Sequence, residues 1–215
     1  MSKKVSFDQE IVYRPAKPSD AAVAGRLLYD SFPKTATFVI GLGNPDRAKE
    51  ILTRLFSMVG HRFSYEFAQV AIRQGRVVGF FISYPGKCLG KLNRRLGRLM
   101  FQQYRLRGKA ALLIRAWPLV FIKEAGRDEY LLSNLAVRKH LRSKGIGSGL
   151  LVQVEEKAKE AGLRKVSLMV SIGNKEARRL YECYGYQVRA THLESNKRVP
   201  YLGPGYHRMV KELVG

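Results

Sequence analysis

The sequence predicts an α/β protein built on a mixed sheet, and three observations carry that prediction. Residues 131–151 read as an apolar strand ending at Val137, a short basic loop, and a helix opening among Gly145, Gly147 and Gly149. Residues 166–172 alternate Val166, Leu168, Val170 and Ile172 with Ser167, Met169 and Ser171, the two-residue period of a strand. Strand and helix patterns follow one another along the 215 residues, a length that suits one domain, 1–215, with a sizeable core.

Taken in order, residues 11–15 read as a first strand. Ser19 is placed to cap a helix running to about Ser31, with Val23, Leu27 and Leu28 on one face. Asn44 followed by Pro45 marks a second helix start, because proline at the first helical position loses no hydrogen bond. Ala48, Ile51, Leu52, Leu55, Phe56 and Val59 give that helix its apolar face. Residues 67–73 and 76–84 read as strands around a turn at Gln74-Gly75, and Gly79 inside the second suggests a bulge or a close approach. The helix after Gly147 buries Leu150, Leu151, Val154, Ala158 and Ala161 and stops at Gly162. Asn174 caps the next helix, whose apolar face is Ala177, Leu180, Tyr181 and Tyr184 and whose stop is Gly185. Residues 187–193 and 207–213 would be the last two strands.

Charge is the outlier. There are 39 basic and 17 acidic residues, a net +22, and such a field steers anions towards the protein without selecting one. Residues 86–127 hold eleven of the basic residues and a single acid, Glu124. Leu89, Leu92, Leu96, Leu99 and Met100 lie there at helical spacing with Lys91, Arg94, Arg95 and Arg98 between them, and 110–122 is more apolar. Two helices are expected, because structureless loops of this length are uncommon in compact domains. A basic amphipathic segment can hold a polyanion, an acidic partner or an anionic membrane surface, or simply present a solvated face. Residues 110–122 are broken by Arg115 and Pro118 and fall short of the about 20 apolar residues of a membrane span, so no transmembrane segment is expected. No secretory pattern follows Met1, and Cys88 and Cys183 suggest neither a disulfide framework nor a metal site. A cytoplasmic setting is the expectation.

The loop after Val137 carries the chemistry. Backbone N–H groups at a helix N-terminus favour phosphate, and Arg142 and Lys144 add two cations. A P-loop is excluded by spacing. A dinucleotide fingerprint needs a third glycine where Leu150 stands. What fits is Arg/Gln-x-x-Gly-x-Gly/Ala after a strand ending Leu-Ala-Val: Arg142-Ser143-Lys144-Gly145-Ile146-Gly147. A second motif lies downstream, with Asn174, Ala177, Leu180, Tyr181, Gly185 and Tyr186 at the spacing Asn-x-x-Ala-x-x-Leu-Tyr-x-x-x-Gly-Tyr.

With both motifs in this order the chain resembles the GCN5-related N-acetyltransferases (GNAT), over 11–84 and 129–213. The resemblance implies the acyl-CoA N-acyltransferase fold, with 86–127 as a basic insertion. It implies transfer of an acetyl group from acetyl-CoA to an amine acceptor by direct attack, without a covalent enzyme intermediate. The coenzyme's pyrophosphate would lie on Arg142, Ser143, Lys144, Gly145, Ile146, Gly147 and Ser148. A splayed strand, here Leu135, Ala136 and Val137, would polarise the thioester. Asn174 would touch the coenzyme arm, and Tyr181 would protonate the departing thiolate. By spacing alone Tyr181 reads as a core aromatic. Glu129, with Asp128 beside it, is the best-placed carboxylate for a base. His140 sits in the basic loop, and His192 and His207 flank a loop over 194–206 containing Arg198, Pro200, Tyr201 and Pro204. Cys183 reads as a packing residue. Two other readings stay open: a non-catalytic binding module using the basic surface, and a longer acyl-CoA or an acyl-carrier protein as donor.

Overall fold

A mixed sheet of seven strands organises the chain, in the spatial order β1-β2-β3-β4-β5-β7-β6. The computed structural model describes residues 11–193 and 204–213, and the strands are β1 (Val12–Pro15), β2 (Ala68–Arg73), β3 (Arg76–Pro85), β4 (Tyr130–Val137), β5 (Lys165–Ser171), β6 (Gln187–Leu193) and β7 (Gly205–Glu212). All neighbours are antiparallel except β4 and β5. The fold class expected from the sequence is therefore the one observed. Residues 194–203, which contain Arg198, Pro200 and Tyr201, lie outside the described residues.

The sheet divides the core in two. On one face, α1 (Ala21–Ser31) and α3 (Pro45–Phe56) bury Leu27, Leu28, Ile51, Leu52, Leu55 and Phe56 against Val70, Phe80 and Ile82 of β2 and β3. Between them lie a single helical turn, α2 (Pro33–Thr35), and a π-helical stretch, Ala36–Ile40. On the other face α6 (Ile146–Glu160) buries Leu150, Leu151, Val154 and Ala158 against Phe81, Leu132 and Val166. The helix from Lys175 to Cys183, α7, adds Tyr181 to that face.

Most local expectations hold for the reasons given. Asn44 caps α3, its Oδ1 accepting from the N–H groups of Asp46 and Arg47 at 2.9 and 3.0 Å. Gln74 and Gly75 both adopt positive φ, 52° and 70°, as a two-residue hairpin turn requires. The register of β2 against β3 shifts beside Ala71, whose partner is Gly79. A Cβ on Gly79 would lie 3.0 Å from Leu150 Cδ1, so both the bulge and the close approach are present.

Three expectations need correction. Ser19 does not cap α1: it sits inside a 3-10 turn, Pro18–Asp20, and Asp20 stands at the cap. The Asp20 carboxylate makes no capping bond to α1; it accepts from the Lys17 N–H at 2.8 Å and from both Arg14 terminal nitrogens at 2.8 Å, which closes the turn before the helix. Val59 and Ala161 are exposed, because α3 ends at Phe56 and α6 at Glu160, before the apolar period runs out.

Residues 86–127 contain the two helices expected. They form α4 (Leu89–Gln102), α5 (Leu106–Ala116) and a 3-10 stretch, Trp117–Phe121. In α4, Leu92 and Met100 are buried, while Lys91, Arg94, Arg95 and Arg98 face solvent. The Tyr104 hydroxyl donates to the Ile40 carbonyl and Arg115 to the Phe38 carbonyl, fixing α5 to the π-helical stretch. Among the described residues no helix is long and apolar enough to cross a membrane.

The Arg14–Asp20 pair ties β1 to α1 and supplies a pH dependence. The Arg14 guanidinium, helped by the Lys17 N–H, outweighs burial and holds the Asp20 carboxyl below the usual range. A depressed folded pKa adds stability that is complete above the unfolded value of about 3.9 and is lost as pH falls through the folded value. Asp20→Asn should cost about 1–3 kcal/mol at pH 7 by urea denaturation. The gap from wild type should close as pH is taken below about 4. A gap that stays constant down to pH 2 would contradict this account.

Candidate active site

The site begins where two strands part. β4 pairs with β5 only over Tyr130, Leu131 and Leu132, whereas its pairing with β3 continues to Val137 opposite Gly79. The β3 register shifts between Ile82 and Ser83, whose partners are Asn134 and Leu132, so Ser133 is an extra residue in β4. A bulge bends its strand and disrupts the ladder locally. Beyond it, the Arg138 N–H donates to Val78 O at 2.9 Å, on the β3 side. Strand alternation then turns the N–H groups of Val137 and Leu135 the other way, into the gap that β5 leaves. Fixed donors of this kind can polarise a carbonyl. Ala136 and Val137 are buried and Leu135 half-buried, so the strand is held by packing on both faces.

Val137 leads directly into the glycine loop. Arg138 is pinned by its Nε to Val77 O at 2.7 Å, and a 3-10 turn, Lys139–Leu141, follows. Ser143 and Gly145 take φ values of 58° and 78°, and Gly145 caps α6. The first backbone bond of α6 runs from Gly149 N–H to Gly145 O at 2.9 Å. The N–H groups of Ile146, Gly147 and Ser148 therefore point out of the helix end, as the first donors of any helix do. Arg142, Ser143, Lys144 and Gly145 are exposed around them, while Ile146 plugs the loop into the core. Arg142 also donates from Nε to Val137 O at 3.4 Å. A Cβ on Gly147 would meet only ordinary contacts, Leu180 Cδ2 at 3.5 Å and Val137 Cγ2 at 3.9 Å. Gly149 is different, since a Cβ there would lie 1.8 Å from the Tyr13 hydroxyl.

The second motif is explained by how α7 starts and stops. Asn174 Oδ1 accepts the Ala177 N–H at 3.2 Å. At the other end Gly185 has φ 85°, its N–H donates to Glu182 O, and the Tyr186 N–H donates to Tyr181 O, both at 3.0 Å. This is a Schellman stop, which brings together the side chains either side of the glycine. Those side chains are Tyr181 and Tyr186, with ring centroids 5.9 Å apart. Tyr181 is buried, and burial pushes its phenol up to about 12. Its hydroxyl has no hydrogen-bond partner among the described residues, so Tyr181 is a core aromatic whose polar end is left available.

Glu129 is not placed to act as a base. Both carboxylate oxygens are taken by Arg208 on β7, and one also accepts the Gly126 N–H at 2.6 Å. Burial alone would raise its pKa, but these partners outweigh burial and hold it below the usual range. It also precedes Leu135 by six residues, roughly 20 Å of extended strand. Asp128 pairs with Lys165 at 3.0 Å in solvent. His207 lies 3.2 Å from Arg178 and 3.0 Å from the Thr191 hydroxyl, and His140 and His192 are exposed. Cys183 is exposed, not packed.

One polar cluster escaped the sequence reading. Arg62 donates to both oxygens of Glu124 at 2.6 and 2.5 Å, to the bulge residue Ser133 at 3.1 Å and to Asn93 at 3.2 Å. The Ser133 hydroxyl donates to Asn134 Oδ1, and the Asn134 amide donates to the Ser31 hydroxyl at 2.9 Å. Burial would lower the Arg62 pKa, but Glu124 outweighs it and keeps the guanidinium charged. Nearby, the Thr35 and Tyr206 hydroxyls lie 3.4 Å apart and join the turn after α1 to the start of β7.

The profile of the Acetyltransferase (GNAT) family matches residues 43–186, which span the bulge, the glycine loop and α7. No curated protein matches the chain. Among solved structures, an N-acetyltransferase from Staphylococcus aureus Mu50 is 22% identical with a TM-score of 0.72, over 93% of this chain and 100% of that one. Another, described only as an acetyltransferase, is 24% identical with a TM-score of 0.69, over 94% and 100%. A polyamine N-acetyltransferase of Drosophila melanogaster, which forms N-acetylagmatine, is 19% identical with a TM-score of 0.58, over 95% and 100%. At these identities the structures speak for the fold, and the profile, covering most of the chain, places the chain in the acetyltransferase (GNAT) family.

Proposed function

We propose that this protein is an acetyl-CoA-dependent N-acetyltransferase that moves an acetyl group from the coenzyme thioester to an amine. The observation that carries the reading is the gap between β4 and β5, with the Leu135 and Val137 N–H groups turned into it and the glycine loop at its end. The pyrophosphate would be held by the N–H groups from Ser143 to Ser148 and by Arg142 and Lys144, because a helix N-terminus and two cations favour an anion. The pantetheine arm would extend along Leu135, Ala136 and Val137. The Asn174 carbonyl serves its helix cap, leaving the amide NH2 for the arm.

In the reaction the amine nitrogen attacks the thioester carbonyl and the C–S bond breaks. The Leu135 N–H stabilises the oxygen as charge develops on it. The thiolate takes its proton from the Tyr181 hydroxyl, and the amine's proton leaves through water, by which the phenolate is reprotonated. With its pKa near 12, Tyr181 stays protonated across the working range. The acceptor would approach from the α1 face, where Asn134 and Ser31 supply polar groups.

Two substitutions test this. Gly147→Ala should leave acetyl-CoA binding measurable by calorimetry, since the methyl meets only ordinary contacts. Gly147→Asp should abolish the heat of binding with little change in melting temperature, because it sets a like charge against the pyrophosphate. Wild-type protein that gives no heat with acetyl-CoA would overturn the proposal.

Tyr181→Phe keeps the buried ring and removes only the hydroxyl. It should lower kcat about 100- to 10,000-fold, the range for a lost general acid, with acetyl-CoA affinity little changed. The raised pKa keeps the acid loaded, so the wild-type rate should show no alkaline fall from Tyr181 below about pH 10. An unchanged kcat where chemistry limits turnover would return Tyr181 to a packing role. Coenzyme binding without turnover on any amine would favour a binding module.

A further inference from the structure

Ten large apolar side chains among the described residues are exposed, and five of them fall on 106–120. These are Leu106 at 84% exposure, Leu113 at 56%, Ile114 at 75%, Trp117 at 64% and Val120 at 71%. At 100° per residue Leu106, Leu113, Ile114 and Trp117 share one face of α5. Val120 repeats Trp117 three residues on, which a 3-10 helix places on the same side. The stripe is roughly 20 Å long. It is not the outside of a loosely held helix. Leu112 on the opposite face is buried, and Arg115 reaches inward to the Phe38 carbonyl at 2.9 Å.

We propose that this stripe docks the protein on an anionic lipid bilayer, with α5 lying in the interface plane. The argument is the charge that surrounds the apolar side chains. Arg107 and Lys109 fall on opposite flanks of the stripe by the same wheel, and exposed Arg105 precedes it. The whole of 86–127 holds eleven basic residues, and its one acid, Glu124, is already paired to Arg62. An apolar face with a tryptophan, edged by Arg and Lys, is the composition that sits at the boundary of headgroups and acyl chains. A second copy of this chain would bring a second strongly cationic segment against the first, which repels. A nucleic acid would use the cations and leave the five apolar side chains in water.

Trp117 is the only tryptophan, so its fluorescence reports on the stripe directly. The full chain is titrated with vesicles of phosphatidylcholine alone and of phosphatidylcholine with phosphatidylserine. On the anionic vesicles the emission should move to shorter wavelength, brominated acyl chains should quench it, and the protein should sediment with the lipid. Leu113→Glu with Ile114→Glu should remove shift, quenching and sedimentation together. Because both positions face solvent, the melting temperature should hold. The proposal fails if no vesicle binds. It fails equally if the protein sediments with anionic lipid while Trp117 emission is unmoved and the double substitution has no effect, which is adsorption by charge alone. A shift that grows with protein concentration in the absence of lipid would assign the stripe to a second copy and overturn it too.

Discussion

After Leu132 the parallel strands at the centre of the sheet come apart, and two separate polar clusters decide where. At the closed end Glu129, just before β4, is held by Arg208 on β7, reaching past β5, which lies between them in the sheet. At the opening, the bulge residue Ser133 is held by Arg62, itself fixed by Glu124. Replacing buried ion pairs by apolar residues is often neutral or stabilising, so what these pairs contribute is position more than free energy. If β4 and β5 stayed paired to their ends, the N–H groups of Leu135 and Val137 would be spent on β5 and none would face a ligand.

The glycine loop follows from the same divergence. Because β4 has left β5, its end at Val137 turns into a short basic loop that delivers the α6 N-terminus beside the open strand edge. The loop cations are exposed, and exposed charges contribute little in water. Their attraction grows only when a ligand covers them, whereas the N–H groups are oriented in advance. Recognition of an anion here, as proposed, would therefore rest on backbone geometry, and the +22 field would add mainly to the rate of encounter.

What could be read from the sequence was local in cause. Asn44, Gly75, Gly145, Asn174 and Gly185 each serve a cap, a turn or a stop whose partners lie within a few residues. The Tyr181–Tyr186 contact is part of the α7 stop, so the spacing that marks the motif is the spacing of a Schellman closure. What could not be read depends on distant partners. Glu129 and Arg208 are 79 residues apart, and Arg62 and Glu124 are 62. No periodicity marks Ser133 as a bulge or Glu129 as an ion-pair member, so a carboxylate beside the right strand looked available when it was not. Val59 and Ala161 misled for a simpler reason: an apolar period continues in sequence after the backbone has left the helix.

For Tyr181, packing and the proposed proton transfer are compatible accounts. The Schellman stop fixes the ring against Tyr186, and the surrounding apolar side chains remove water from the phenol. Loss of water disfavours the phenolate, which is why the pKa rises towards 12. A group that must deliver a proton to a thiolate needs to be protonated beforehand and fixed in direction, and burial in a rigid corner supplies both. Among the described residues no side chain or backbone group hydrogen-bonds the Tyr181 hydroxyl. In the proposed reaction the thioester sulfur would be the partner of that hydroxyl.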